Sequence, residues 1–216
     1  MRQSTETFIL NFFQRNQHLV PEKENILRGI ELLLEAYRRG NKVMICGNGG
    51  SASDSEHIVG ELMKGFLLKR PVPAEDRQEL LKTCGQELGS HISDHLQGSL
   101  PAISLVSHTA LSTAFCNDVD PQMTFAQQVY GYKQPGDVVI GISTSGNSKN
   151  VCYALEVARS FGLGTIAMTG CKDSRMSEIS DVPLRSPEQE TYRIQEDHLK
   201  IYHLFCGAVE LELFEN

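Results

Sequence analysis

Short apolar runs of five to seven residues alternate along the chain with longer segments of helical periodicity, and this alternation restricts the fold more than any other feature. KVMICG (42–47), AISLV (102–106), DVVIGIS (137–143), TIAMTG (165–170) and DVPLRSP (181–187) read as strands. The segments between them read as helices. SASDSEHIVGELMKGF (51–66) places Ile58, Leu62 and Phe66 on one stripe, TALSTAFCND (109–118) is a short helix, and KNVCYALEVARSFG (149–162) stops at Gly162. One long helix is expected from about Glu190 to Leu213, and two more, 5–19 and 23–39, precede the first strand and break at Gly40-Asn41. Apolar strands that lack polar alternation and are separated by helices need a parallel sheet covered on both faces. The expected class is α/β: a doubly wound, mostly parallel five-stranded sheet flanked by helices, with an N-terminal helical hairpin.

Residues 67–100 do not fit this alternation and are too long for a plain connection. Leu80, Leu81, Leu88, Ile92 and Leu96 recur at roughly helical spacing, which predicts one or two amphipathic helices inserted after the 51–66 helix. A length of 216 residues favours one domain over 1–216, with 1–40 and 67–100 as its helical additions. At 40% hydrophobic and 22% charged residues the chain can bury a core. Lys and Arg (20) are outnumbered by Asp and Glu (27), a net charge of −7, which argues against a direct nucleic-acid partner, since that needs a basic face. No apolar run reaches the ~18 residues that would span a bilayer, and no basic stretch with a cleavage site opens the chain, so no membrane partner is expected and the expected location is cytoplasmic. The six cysteines are scattered with no C-x-x-C pair, which reads as reduced thiols in or near the core.

Two motifs lie where a strand gives way to a helix. CGNGGSASDSEH (46–57) has glycines that let the backbone approach an anion, but neither G-x-G-x-x-G nor the lysine of a P-loop, so it is a weak nucleotide signal. ISTSGNSKN (142–150) gathers Ser143, Thr144, Ser145 and Ser148 around one glycine just before a helix N-terminus. One or two hydroxyls suffice for a helix cap. Four suit the three oxygens of a phosphomonoester. His57 and Glu61, four apart on one helix, can share an ion or a substrate. The last helix carries Gln195, His198 and His203. Gln195 and His203 are eight residues apart, about 12 Å along an ideal helix, so they meet at one ion only if both reach inward or the helix start is irregular.

Taken in order, GNGGSASDSEH, CND (116–118), GDVVIGISTSGNS (136–148), TIAMTG and RIQEDHLKIYHLF (193–205) resemble the sugar isomerase (SIS) domain, and within it the phosphoheptose isomerases. The resemblance covers nearly the whole chain. It implies a homotetramer with active sites at subunit interfaces, in which STSGNS holds a sugar phosphate, and Asn48, Gly49, Gly50, Ser51, Asn117, Asp118 and Gln195 contact the substrate. It implies a zinc ion, one per subunit, on His57, Glu61, Gln195 and His203, with Glu61 and His203 also the acid–base pair. The implied reaction converts sedoheptulose 7-phosphate into D-glycero-D-manno-heptose 7-phosphate. Moving a proton between C1 and C2 through an enediol needs a base, a partner acid and something to polarise the carbonyl, and these residue types supply them. The chain departs from the family pattern at Gly65, where a basic residue is usual and Lys64 stands beside it, in the length of the 67–100 insertion, and at Tyr192. The alternative is a non-catalytic SIS module that binds phosphosugars or a partner, of the replication-initiator-associating type. Those relatives tend to lose the metal and acid–base positions that this chain keeps.

Overall fold

The computed structural model describes residues 1–215. Five parallel strands, β1 (Val43–Gly47), β2 (Ala102–Ser104), β3 (Val138–Ile142), β4 (Gly164–Thr169) and β5 (Val182–Arg185), form one sheet in the order β2-β1-β3-β4-β5. Successive residues of a strand point to opposite faces, and here both faces are covered. Val43 and Ile45 of β1, with Val138, Ile140 and Ile142 of β3, point to one face, and Met44, Cys46 and Val139 to the other. Hence the runs show no polar alternation.

The first face is covered by α1 (Gln3–Arg15), α2 (Lys23–Arg38), α3 (Gly50–Met63) and, much later in the chain, the long C-terminal helix. Ile26, Ile30, Leu33 and Leu34 form the buried stripe of α2, and Ile58 and Leu62 that of α3. After α3 the chain forms a helical hairpin, α4 (Ala74–Cys84) and α5 (Gln86–His95), closed at its base by a bridge between Pro71 and Gln97. Gly89 lets the two helices approach, because a Cβ there would strike the backbone of Leu80 and Leu81. No residue of α4 is buried, and in α5 only Gly89 and Ser93 are, so the hairpin adds no leucine to the main core, and Leu88 stands exposed.

On the second face lie α7 (Thr124–Tyr132), α8 (Lys149–Ser160) and α9 (Arg175–Ile179), while α6 (Thr109–Asp118) follows the edge strand β2. The final helix, α10 (Thr191–Phe214), returns to the first face and packs against α1, α2 and α3. Helix α7 and the five-residue α9 are additions to the sequence expectation, and β2 is two residues shorter than expected. Its pairing ends as Leu105 N–H donates to Ile45 O and the chain turns at Ser107.

The strand order fixes where a site can form. From β1 the chain goes outward to β2, then returns to place β3 on the other side of β1. The loops leaving the carboxyl ends of β1 and β3 therefore diverge, and a crevice opens between them. Both glycine- and serine-rich motifs sit there.

Candidate active site

The loop after β3 is built around Ser143. Its buried hydroxyl lies 3.3 Å from Ser145 Oγ and 2.9 Å from Ser148 Oγ. Gly146 has φ +65°, and a side chain there would collide with Ser174, so the turn needs glycine on both counts. Gly170 N–H donates to Thr144 O, which ties the loop to the end of β4. A cavity of about 300 Å³ opens beside Thr144, Ser145 and Asn147, with Lys172 and Thr191 on its wall. Hydroxyls, N–H groups at the start of α8 and one lysine are the kinds of donor that could hold an anion here.

Beneath the loop, His198 of α10 is fully buried. Its Nε2 lies 3.1 Å from Thr169 O, and burial holds its imidazole down to about 4, so the ring is neutral and Nε2 is the donor.

The turn after β1 meets this loop through a reciprocal amide pair. Asn48 Nδ2 donates to Asn150 Oδ1 (2.9 Å) and Asn150 Nδ2 to Asn48 Oδ1 (2.8 Å). Gly49 adopts φ 57°, ψ −122°, which only glycine holds without strain. Gly50 serves a different purpose. A Cβ at this position would collide with the amide of Gln195, so the missing side chain makes room for Gln195 against the first turn of α3. Ser51 is buried behind it.

Two turns further along α3, titratable groups gather. His57 Nε2 lies 3.3 Å from Glu61 Oε1. The ring of His203, from α10, stands edge-on to His57 with centroids 5.1 Å apart, and packs against Phe66 at 5.5 Å. Tyr202 Oη lies 2.9 Å from His57 Nδ1 and 3.3 Å from Asp54 Oδ1. Burial lifts the Asp54 carboxyl above the ordinary carboxylate range, with Tyr202 and His57 opposing, and burial together with Asp54 raises the Tyr202 phenol. Burial and then the neighbouring His57 push the His203 imidazole below its usual range, against the pull of Glu61. His203 is thus neutral near pH 7, with its buried Nε2 unpartnered among the described residues.

This orphaned nitrogen, a second imidazole and a carboxylate form a donor set suited to zinc. Among the described residues, however, no three His, Cys, Asp or Glu side chains are placed together as ligands. Gln195 sits with Gly50, about 10 Å by helix rise from His57, and is not gathered with the histidines.

Asn117 and Asp118 lie exposed at the end of α6, where Asn117 Nδ2 donates to Asp118 Oδ1, and the structure brings neither to the other site residues within the single chain. Gly65 has a local cause. Any side chain there would strike the Leu68 carbonyl, so this backbone excludes a basic residue at 65, and Lys64 Nζ lies 3.6 Å from Glu61 Oε2 instead. Asp54, Asn150 and Tyr202 enter the site from outside the sequence expectation. Asp54 could have been found, because it shares with His57 and Glu61 the spacing of one helix face.

Comparison with known proteins identifies the family. SIS domain models match residues 11–94 and 104–203. The chain is 40% identical over 185 residues to the phosphoheptose isomerase of Geobacter sp. (strain M21), covering 86% of this chain and 82% of that protein. It is 37% identical over 191 residues to that of Clostridium acetobutylicum, covering 88% and 84%. The solved phosphoheptose isomerase of Neisseria gonorrhoeae superposes with a TM-score of 0.71 at 30% identity, covering 94% of this chain and 92% of that one. That of Francisella tularensis gives 0.73 at 25%, covering 94% and 95%. The chain belongs to the SIS-domain family, and within it to the phosphoheptose isomerases.

Proposed function

We propose that the protein is a ketose–aldose isomerase acting on a phosphorylated sugar, sedoheptulose 7-phosphate in the first place. The observation that carries this reading is that the Asn48–Asn150 amide pair joins the serine-rich loop and its cavity to the turn that opens α3, the same helix that carries His57 and Glu61 to His203.

The Ser143 loop grips the phosphate, and Asn48, Gly49, Gly50, Ser51 and Gln195 border the chain of hydroxyls. Glu61 takes the C1 proton as the carbonyl at C2 becomes an enediol, and a proton returned to C2 leaves the aldose, so atoms balance with no other reactant. His203, neutral and partly buried, is suited to shuttle the hydroxyl proton between the two oxygens. His57, Glu61 and His203 would hold a zinc ion, with Gln195 a weaker oxygen donor if it swings from Gly50. Bound there, the ion would polarise the substrate oxygens. Tyr202, set between His57 Nδ1 and Asp54, fixes the orientation of the imidazole.

Assembly of single SIS domains, as a homotetramer in this reading, draws its support only as far as a subunit contact, from Met63 and Leu67, large apolar side chains exposed beside the cluster, and from Asn117 and Asp118, which would need another subunit to serve a site. Among the described residues no helix is long and apolar enough to cross a membrane.

The deciding experiment incubates zinc-loaded protein with sedoheptulose 7-phosphate and follows aldose formation, with zinc content and mass in solution measured alongside. Absence of aldose from this and other ketose phosphates would leave a phosphosugar-binding module.

A further inference from the structure

Arg70 and Glu210 are both without solvent exposure and pair through Arg70 Nε and Glu210 Oε1 at 2.6 Å. The Glu210 carboxylate also accepts three successive backbone N–H groups, from Phe66 (2.8 Å), Leu67 (2.5 Å) and Leu68 (3.0 Å). The other arms of the guanidinium reach back to the end of α3, donating from Nη1 to Leu62 O (2.7 Å) and from Nη2 to Glu61 O (3.3 Å). The Phe214 ring lies 4.7 Å from the guanidinium carbon.

A buried ion pair is a poor way to add stability, since apolar residues of similar volume often do as well or better. What it adds is direction. The last carbonyls of a helix have no partner within the helix, and here two of them, one belonging to Glu61 itself, are taken by a rigid fork. The same network orders Phe66, whose ring packs on His203. Glu210 and His203 lie seven residues apart on α10, two turns and therefore one face. One end of the network thus grips the main chain of Glu61, and the other is fixed to the helix of His203.

We propose that Arg70 and Glu210 are positioning residues that set the separation of Glu61 and His203. This rests on the isomerase reading of those two residues.

Arg70→Lys keeps the charge opposite Glu210 but cannot span both carbonyls. It is expected to lower kcat for sedoheptulose 7-phosphate at least tenfold and to leave KM within about twofold because the phosphate loop is untouched, with kcat referred to folded protein because the buried carbonyls of Glu61 and Leu62 lose donors and the melting temperature falls. Glu210→Asp keeps the pair but draws it back by one methylene, and is expected to give the same split, so the two variants do not depend on one fold surviving. A kcat equal to that of the parent in folded Arg70→Lys overturns the proposal, as does activity lost only in proportion to folded protein.

Amide hydrogen exchange over residues 61–68 gives a readout independent of turnover. Faster exchange there in Arg70→Lys, with the β3 loop unchanged, supports the proposal even if the parent protein isomerises no sugar, the result that would defeat the isomerase reading instead. Unchanged exchange over 61–68 overturns it.

Discussion

Replacing Ser143 by alanine tests the anion site at the least cost to the fold. Its hydroxyl is buried but bonds only to Ser145, which is exposed, and Ser148, which is half-buried. Both partners can turn to solvent when Ser143 is truncated, so no buried polar group is orphaned and the loss of stability should stay at or below about 1 kcal/mol, the net worth of one ordinary hydrogen bond. The loss on binding is larger. A hydrogen bond to a charged group contributes about 1.5–3 kcal/mol, and at 1.4 kcal/mol per decade this is roughly a ten- to hundredfold rise in KM for a sugar phosphate. Steady-state kinetics with sedoheptulose 7-phosphate, inhibition by inorganic phosphate and a thermal melt separate the two effects. KM and the phosphate inhibition constant should rise together while the melt moves little. An unchanged affinity in Ser143→Ala, Ser145→Ala, with the protein folded, would refute phosphate binding by this loop.

Glu61→Gln keeps an oxygen beside His57 but cannot accept a proton. It should cost at least a hundredfold in kcat, the scale of lost acid–base help, with zinc content largely kept, and near-normal turnover would remove Glu61 as the base. His198 makes the fold acid-sensitive. Its folded pKa is depressed to about 4 against about 6.5 unfolded, so the stabilisation is complete above pH 6.5 and falls as pH drops towards 4, by up to about 3 kcal/mol. His198→Gln, which can still donate to Thr169 O, should flatten the pH dependence of urea unfolding over that window, and parallel curves for the two proteins would contradict this. Deleting residues 72–97 should leave the melting temperature within a few degrees, because α4 buries nothing and α5 almost nothing. A collapse of the fold would show that the hairpin supports the core.

What could be read from the sequence, and what could not, divides by the distance over which a signal acts. The strands are legible because burial on both faces leaves them as uninterrupted apolar runs, and α3 because Ile58 and Leu62 repeat at helical spacing. Helix α7, TFAQQVYGY, is not legible, because Thr124, Phe125 and Val129 are residues that a strand favours as much and their burial comes from the fold around them. The five residues of α9 are too few to show a period. In the site the same division holds. His57 with Glu61 and the serines of 143–148 are local patterns. The contacts that join them, Asn48 with Asn150, Asp54 with Tyr202 and Arg70 with Glu210, span 102, 148 and 140 residues and arise only when β3 returns beside β1 and α10 closes the first face. Glycine shows the limit most sharply. A Gly-rich turn reads as backbone freedom to meet an anion, and Gly49 and Gly146 do use that freedom. Gly65 is glycine because the Leu68 backbone carbonyl occupies the space of a side chain, and at Gly50 the Gln195 amide fills that space. The departure at 65 is therefore a property of how the chain leaves α3 towards the α4–α5 hairpin, and changes at 65 and in the hairpin should be coupled.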